Sequence, residues 1–269
     1  LTWRQAVSTP SVFRFNSVTN TSNKTRYLYF ADGNSDVATK TTLYFGVGGI
    51  GFSGSGETSA TRFAFGRDIN NNETTIRPWY SDFTIGGKSN TESGIRFGKR
   101  VIFNTDDDSG AGHTITLAAR YYGGAGASVE VGGSGTLLVT GSNTGDNALP
   151  MTAKDTATLA VGAGGSLGKG TITLGAGTTL ALTANSNEYK LANTLNLPTT
   201  GIATIRIDGN RLRSGEGLEI ATVGNPTSVT KDNVKIEGDA IGGRKTTLCI
   251  EDGKLLLNIQ PEGLMVIFR

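Results

Sequence analysis

The sequence predicts an all-β protein whose chain coils into stacked parallel rungs, an architecture called a β-solenoid. Leu137, Leu159 and Leu180 occupy equivalent strand-like settings, separated by roughly 20 to 22 residues, and a fixed period of that size is typical of solenoid repeats. Short runs of β-forming residues also recur between glycine and asparagine clusters, which favours short strands joined by tight turns.

A similar spacing occurs upstream of these leucines. Phe63, Phe83 and Phe103 are evenly spaced at nearly the same interval. Two further pairs repeat the interval of these phenylalanines: Ile95 with Ile115, and Leu117 with Leu137. Because each rung buries its apolar residues against its neighbours, we expect one core stack of phenylalanines, one of leucines and about a dozen rungs in all.

The composition fits turns and strands. Glycine accounts for 39 of the 269 residues and proline for only 6, with no Gly-X-Y period, which excludes a collagen-like chain. An antiparallel sandwich would also have short strands, but its hairpins commonly use Asn-Gly. The sequence lacks that dipeptide, so a coil of two or three strands per rung fits the spacing better.

The charge pattern argues against a nucleic-acid partner. Only 18% of the residues are charged, the formal net charge is +2, and the basic residues are scattered. Nucleic-acid binding usually needs a concentrated basic footprint. The single cysteine, Cys249, lies in an apolar run and is expected to be a small buried hydrophobic residue.

The length and the alternation of the strand-like runs change in the last quarter of the sequence. Runs 203–208 and 217–223 are longer, alternate more regularly and have more charge between them. The open ends of a solenoid core must be shielded by terminal caps. We therefore expect β-helix rungs with an N-terminal cap over residues 1–202, and closing rungs with a C-terminal cap over residues 203–269.

The ends of the chain carry no membrane signal. The chain begins at Leu1 without a charged-then-apolar leader, so we expect that a signal peptide has been removed or that this is an excised fragment. No stretch approaches the roughly 18 apolar residues that a spanning helix needs. We therefore expect no transmembrane segment.

Glycine-rich motifs are the first candidate sites. Gly46-Val-Gly48-Gly-Ile-Gly51 has the spacing of a dinucleotide-binding loop. That loop binds phosphate only between a strand and a helix, and no helix-forming run follows it, so we interpret it as a turn between rungs. Runs beginning at Gly123 and Gly132 start like calcium-binding nonapeptides but lack the required Asp.

A carboxylate cluster is the main candidate for catalysis. Asn104-Thr-Asp106-Asp107-Asp108, with the sole histidine His113 nearby, is similar to the residue set of β-helical pectin-type hydrolases, in which the groups lie on separate rungs. Here they fall within ten residues. We therefore favour a solvated turn whose Asp side chains accept bonds from backbone N–H groups. Catalysis and adventitious Ca²⁺ binding are the alternatives.

Aromatic and basic pairs recur at the rung spacing. Tyr121 follows Trp79 at about twice the repeat interval, or two rungs. Neighbouring rungs are ~4.8 Å apart, so three pairs are predicted to form one strip that binds an extended glycan: Trp79 with Tyr80, Lys99 with Arg100, and Tyr121 with Tyr122. The basic pair would favour sialylated or sulfated chains. The alternative is that the rings cap the core or fill turns.

One segment resembles a known family. Gly135-Thr-Leu-Leu-Val-Thr-Gly141-Ser-Asn-Thr-Gly145 precedes two further strand-like runs, 167–174 and 177–180. Together they resemble the autotransporter-associated β-strand repeat over residues 135–182, and the run 252–259 resembles the tail of such passengers. The resemblance implies a right-handed parallel β-helix in a bacterial surface or secreted protein.

These observations predict a non-enzymatic, extracellular structural or adhesive module, displayed on a bacterial surface or secreted. Host or matrix glycans are the expected partners. We expect no catalytic residue, no metal and no cofactor. The alternative is a β-helical carbohydrate-active enzyme, a glycoside hydrolase or polysaccharide lyase, whose carboxylates would gather over several rungs in one groove.

Overall fold

A computed structural model shows the fold. It describes residues 2–3, 11–20, 27–30, 40–52, 62–65, 73–86, 94–141 and 148–261. In this part of the chain the regular structure consists of 23 strands and two short 3-10 helices, Lys231–Asn233 and Asp239–Ile241. The prediction of an all-β protein is confirmed.

The strands are short and follow one another along the whole described chain. The first eleven are β1 (Thr2–Trp3), β2 (Ser11–Asn20), β3 (Tyr27–Phe30), β4 (Lys40–Phe52), β5 (Arg62–Phe65), β6 (Glu73–Pro78), β7 (Phe83–Ile85), β8 (Gly94–Phe97), β9 (Arg100–Asn104), β10 (Thr114–Leu117) and β11 (Arg120–Gly123). The others are β12 (Ser128–Gly132), β13 (Thr136–Val139), β14 (Met151–Ala153), β15 (Thr158–Val161), β16 (Ile172–Leu174), β17 (Thr179–Ala184), β18 (Thr194–Asn196), β19 (Ala203–Gly209), β20 (Gly215–Val223), β21 (Val234–Glu237), β22 (Thr246–Glu251) and β23 (Lys254–Ile259).

The strands stack as three parallel ladders that the chain visits in a fixed order. Ladder 1 contains β1, β3, β5, β8 and β11. Ladder 2 contains the first parts of β2 and β4, then β6, β9, β12, β14, β16, β18 and β20. Ladder 3 contains the second parts of β2 and β4, then β7, β10, β13, β15, β17, β19 and β21. This arrangement is solenoid-like, as the repeats predicted.

Rung length differs between the two halves. On ladder 2 one full rung leads from Leu43 to its partner Ile76, whereas on ladder 3 a shorter rung leads from Leu137 to its partner Leu159. Most of the early rungs are longer, and they include the strands of ladder 1, whose last described member is β11. The described residues accordingly form nine rungs rather than about a dozen.

The predicted leucine stack is confirmed. Leu137, Leu159 and Leu180 are in register on ladder 3, and all three are fully buried. The repeat therefore has the predicted period across these rungs, whereas the later steps from Leu180 to Ile205 and from Ile205 to Ile236 are longer.

The predicted phenylalanine stack is wrong. Phe63 lies on ladder 1, Phe83 on ladder 3 and Phe103 on ladder 2, although all three are buried. Each rung here is longer than the interval between these phenylalanines, so a step of that size moves to a different ladder. The other two pairs with this interval also fail. Ile95 lies on ladder 1, where it pairs with Phe63 and Tyr121. Leu117 and Leu137 lie on the same ladder but out of register, because Leu117 pairs with Val139 and Leu137 with Ile115.

The core runs between the ladders along the coil axis. Inward and outward side chains alternate along each strand, as the alternating burial of β6 and β10 shows. The early core is rich in aromatic rings, with Phe97 packing edge-on to Phe103 at 5.8 Å between centroids. The later core is aliphatic, with residues such as Leu159 and Leu174.

Strand β4 passes from ladder 2 to ladder 3 through the glycine motif Gly46–Gly51. The predicted turn between rungs is therefore wrong, because the motif is a bend inside one strand. Gly49 has φ +53°, and a Cβ there would collide with the carbonyl oxygen of Thr84 on the next rung. Glycine thus allows the strand to turn the corner while the rungs stay closely stacked.

The C-terminal part closes the coil with antiparallel strands. Ladders 2 and 3 continue across residue 202 to β20 and β21. Strand β23 then pairs antiparallel with both β20 and β22. Asp252 and Gly253 form the two-residue hairpin turn, with φ values of +48° and +70°. Cys249, expected to be buried, is only half-buried on β22.

Candidate functional site

The six residues of the predicted strip lie at three different places. Trp79 and Tyr80 follow β6 at the corner between ladders 2 and 3. Lys99 and Arg100 lie where the chain passes from ladder 1 to ladder 2, and Tyr121 and Tyr122 lie on ladder 1. They do not share one face, because the early rungs are longer than the repeat interval on which the strip was based.

Tyr121 belongs to the core. Its side chain is fully buried, its ring centroid is 5.8 Å from that of Phe97, and its hydroxyl donates to the carbonyl oxygen of Ser166 at 2.7 Å. Burial raises the pKa of this phenol. The ring therefore cannot stack on a ligand. Tyr122, the next residue on the strand, has its side chain on the outer face and pairs in register with Arg96.

Arg100 belongs to an ion-pair chain on the outer face of ladder 2. Its guanidinium contacts Glu73 at 2.6 Å and Glu130 at 2.8 Å. This chain of ion pairs extends from Glu73 to Lys40 and from Glu130 to Lys154. Arg100 is in register with Glu73, six residues before Trp79, which places it roughly 20 Å from the corner at ~3.3 Å per strand residue.

Exposed apolar side chains meet at the corner between ladders 2 and 3. Trp79 is 38% exposed and Tyr80 is 52% exposed. Their ring centroids are 5.3 Å apart, with an angle of 59° between the planes. Val47, at the same corner of the preceding rung, is 67% exposed. We call Val47, Trp79 and Tyr80 the aromatic corner.

The aromatic corner is held in place by its neighbours. The backbone N–H of Trp79 donates to the carbonyl oxygen of Phe45 at 2.8 Å, and the hydroxyl of Tyr80 donates to Oδ1 of Asn16 at 2.7 Å. A Cβ on Gly46 would lie 3.0 Å from the Tyr80 hydroxyl. Glycine at this position therefore lets the tyrosine lie close across strand β4.

A loop of carboxylates borders the aromatic corner. We call residues 105–113, between β9 and β10, the acidic loop. Oδ1 of Asp107 accepts hydrogen bonds from the Ser109 hydroxyl at 2.6 Å, the Ser109 N–H at 2.8 Å and the Ala111 N–H at 3.0 Å. The bonds from Ser109, together with one from His113, hold the pKa of Asp107 well below its usual range. Oδ1 of Asp106 accepts from the Ser134 N–H at 2.7 Å.

These bonds confirm the predicted polar turn, whose Asp side chains accept bonds from backbone N–H groups. Within the described ranges, no group of three or more His, Cys, Asp or Glu residues is placed to hold a metal ion.

The acidic loop is fastened to the outer face of ladder 2. Nη2 of Arg77 donates to the carbonyl oxygens of Asp106 at 2.9 Å and Asp107 at 2.8 Å. Two guanidinium groups lie near the Tyr44 ring, with Arg14 4.5 Å and Arg77 5.3 Å from its centroid. Its hydroxyl donates to Asp108 at 2.7 Å, a bond that lowers the pKa of the Asp108 carboxyl.

His113 joins the acidic loop to the turn that carries the aromatic pair. Its Nε2 lies 3.1 Å from Oδ2 of Asp107, and its Nδ1 lies 3.4 Å from Oδ1 of Asp82. Asp82 also accepts a bond from the Thr114 N–H at 2.8 Å. The corner and the acidic loop are thus one connected surface.

Searches against known proteins give no relative. No protein-family model, curated protein or solved structure matches this chain. The part of the chain that the structure describes has no helix both long and apolar enough to cross a membrane.

The sequence did not identify Asn16, Val47 or Asp82 as members of this surface. They lie on three different rungs or turns, and the unequal rung lengths hide their proximity. Asp82 could have been noticed, since it lies three residues after Trp79 in a short polar break before a strand.

Proposed function

We propose that the protein is a non-enzymatic, extracellular module of a bacterial surface or secreted protein, and that it binds glycans through the aromatic corner. The observation that carries the proposal is the exposure of two adjacent rings on a rigid corner. Large exposed apolar groups on a folded protein commonly mark an interaction site. Prior fixation of Trp79 and Tyr80 reduces the conformational entropy that binding would cost.

Sugars suit this surface chemically. The C–H faces of a pyranose pack on aromatic rings, with each contact worth ~0.5 to 1.5 kcal/mol by analogy with aromatic pairs. The exposed oxygen atoms of neighbouring polar groups can accept hydrogen bonds from sugar hydroxyls. Affinity at one such corner would be weak, so adhesion would depend on repeated display, where effective concentration strengthens binding.

The proposal includes the handedness and the origin of the coil. A strand, crossover and parallel strand in one sheet is right-handed in about 98% of cases, which supports a right-handed parallel β-helix. The resemblance of residues 135–182 to autotransporter-associated repeats supports a passenger or surface-display role.

The bonding of the carboxylates supports a non-enzymatic role. Glycoside hydrolysis uses two carboxyl groups placed roughly 5 to 9.5 Å apart across the sugar. Oδ1 of Asp107 already accepts three hydrogen bonds from its own turn, and Asp106 is bonded to Ser134 on the next rung. Both side chains therefore serve to hold the loop.

A glycan array followed by calorimetry tests the proposal. The double variant Trp79→Ala/Tyr80→Ala is expected to weaken binding roughly tenfold or more, since two ring contacts are lost. Tyr122→Ala is the matched control, because that ring lies on ladder 1, and it should leave binding unchanged. Binding that survives the double variant, or that is lost with Tyr122, would overturn the assignment to the aromatic corner.

A further inference from the structure

The charge beside the aromatic corner is negative, which bears on the kind of glycan that it takes. Asp82 lies in the same turn as Trp79 and Tyr80, three residues after the tryptophan. At most ~3.6 Å per residue separates them, so the two α-carbons lie within about 11 Å. One oligosaccharide can reach both side chains.

The carboxylate of Asp82 is available to a ligand. Its side chain is 69% exposed. Oδ1 accepts from the Thr114 N–H and lies near His113, whereas Oδ2 accepts no hydrogen bond from the described residues. The turn therefore presents one fixed carboxylate oxygen to solvent beside the ring pair.

The nearby guanidinium groups are already engaged. Arg77 binds two carbonyl oxygens of the acidic loop and lies 3.6 Å from Asp108. Arg14 pairs with the same carboxylate at 3.2 Å. The turn and the acidic loop contain four Asp residues, at 82 and 106–108, against two nearby arginines, so the formal charge of this surface is negative.

We propose, building on glycan binding at the aromatic corner, that the preferred ligands are glycans with unacetylated amino sugars. A sugar ammonium group can lie over the face of Trp79, which a cation–π interaction favours, while its charge pairs with Oδ2 of Asp82. Carboxylate or sulfate groups on a sugar are repelled by the same carboxylate. The proposal therefore replaces the sialylated or sulfated chains that the sequence favoured.

Three oligosaccharides of equal length distinguish these ligands: one of glucosamine, its N-acetylated form and its sulfated form. Calorimetry at low salt and about pH 6, below the pKa of ordinary amino groups, should show about tenfold tighter binding of the glucosamine form than of the N-acetylated form. The sulfated form should bind most weakly. High salt should reduce the preference for glucosamine.

The variant Asp82→Asn tests the role of the carboxylate. Its amide oxygen can still accept from the Thr114 N–H, so the turn should keep its structure. We expect the preference for glucosamine to fall at least threefold, with binding of the N-acetylated form unchanged. Glu216→Gln, an exposed position on β20, removes the same charge away from the corner and should leave both affinities as they were.

The outcomes separate the two proposals. If none of the three ligands binds, glycan binding at the corner fails. If the N-acetylated form binds through Trp79 but glucosamine gains nothing, or if the sulfated form binds best, the amino-sugar preference is overturned while the corner remains. A preference that persists in Asp82→Asn also overturns it.

Discussion

The two halves of the coil use the same ladders differently. In the described residues up to 141, most rungs are longer, up to three ladders are present, and the core contains many aromatic rings. In residues 148–237, strands of ladders 2 and 3 alternate, and the core is built mainly from Leu, Ile, Val and Ala.

The two regions also differ in the turns that connect their strands, and this difference indicates where the function lies. We call residues 148–237 the regular half and the described residues up to 141 the early half. The regular half has short turns such as Gly175–Thr178, which connect one stacked strand to the next. At the same corner, the early half has the turn carrying Trp79 and Tyr80, which is equally short, and then the acidic loop, which is a longer insertion. Repeat proteins commonly place insertions on one face, which is often the binding face. The irregular rungs are therefore where we place the function.

The largest expected effect tests whether the aromatic core supports the early rungs. Phe103→Ala removes a fully buried ring packed against Phe97 and should cost about 3 to 5 kcal/mol of unfolding free energy. Leu159→Ala in the regular half should cost about 2 to 5 kcal/mol. Urea unfolding measures both. Ile102→Ala, at the outward neighbour of Phe103, is the control, and an equal loss there would contradict the packing.

A second test breaks the fastening of the acidic loop. Arg77→Met removes the donors to the carbonyl oxygens of Asp106 and Asp107 and should cost about 1 to 3 kcal/mol. Amide hydrogen exchange should accelerate in residues 105–113 and stay unchanged in the regular half. Arg77→Lys should restore only part of the protection, because an ammonium lacks the planar fork of a guanidinium. Unaltered exchange in Arg77→Met would refute this role.

A third test uses pH. The folded pKa of Asp107 lies below the unfolded value of about 3.9, so its bonds stabilise the fold above that value and lose effect as pH falls through the folded pKa. The stability difference between wild type and Asp107→Asn should be constant near pH 7 and shrink below about pH 4. Chemical unfolding over a pH series measures it. A difference that grows on acidification would contradict the hydrogen-bond assignment.

The smallest effect concerns the ion-pair chain on ladder 2. Glu73→Gln removes contacts to Arg100 and Lys40, and exposed pairs are worth about 0.2 to 1 kcal/mol each. The loss should diminish as salt is raised. Glu216→Gln, which has no described ion pair, is the reference. A large, salt-independent loss would mean that Glu73 supports packing rather than charge pairing.

The same contrast explains what the sequence could predict. Leu137, Leu159 and Leu180 were placed correctly because consecutive rungs here have nearly equal lengths and bury one leucine at the same position. Phe63, Phe83 and Phe103 were assigned to one stack although each belongs to a different ladder, because a period taken from short rungs does not hold in the longer rungs that contain these residues.

The candidate site shows the same limit. The polar turn at Asp107 could be predicted because its bonds are local, between residues two and four positions apart. The contacts of Tyr80 with Asn16 and of Asp108 with Tyr44 span 64 residues. Such contacts depend on the length of every intervening rung, which local sequence patterns do not fix.

The most direct test of binding at the aromatic corner is the fluorescence of Trp79. The chain has two tryptophans, Trp3 and Trp79, so Trp3→Phe leaves Trp79 as the sole reporter. Titration of this variant with the glucosamine oligosaccharide should give a saturable change in emission, with the same affinity as calorimetry. The sulfated form should give the weakest response. Full calorimetric binding without any change in Trp79 emission would contradict binding at the aromatic corner.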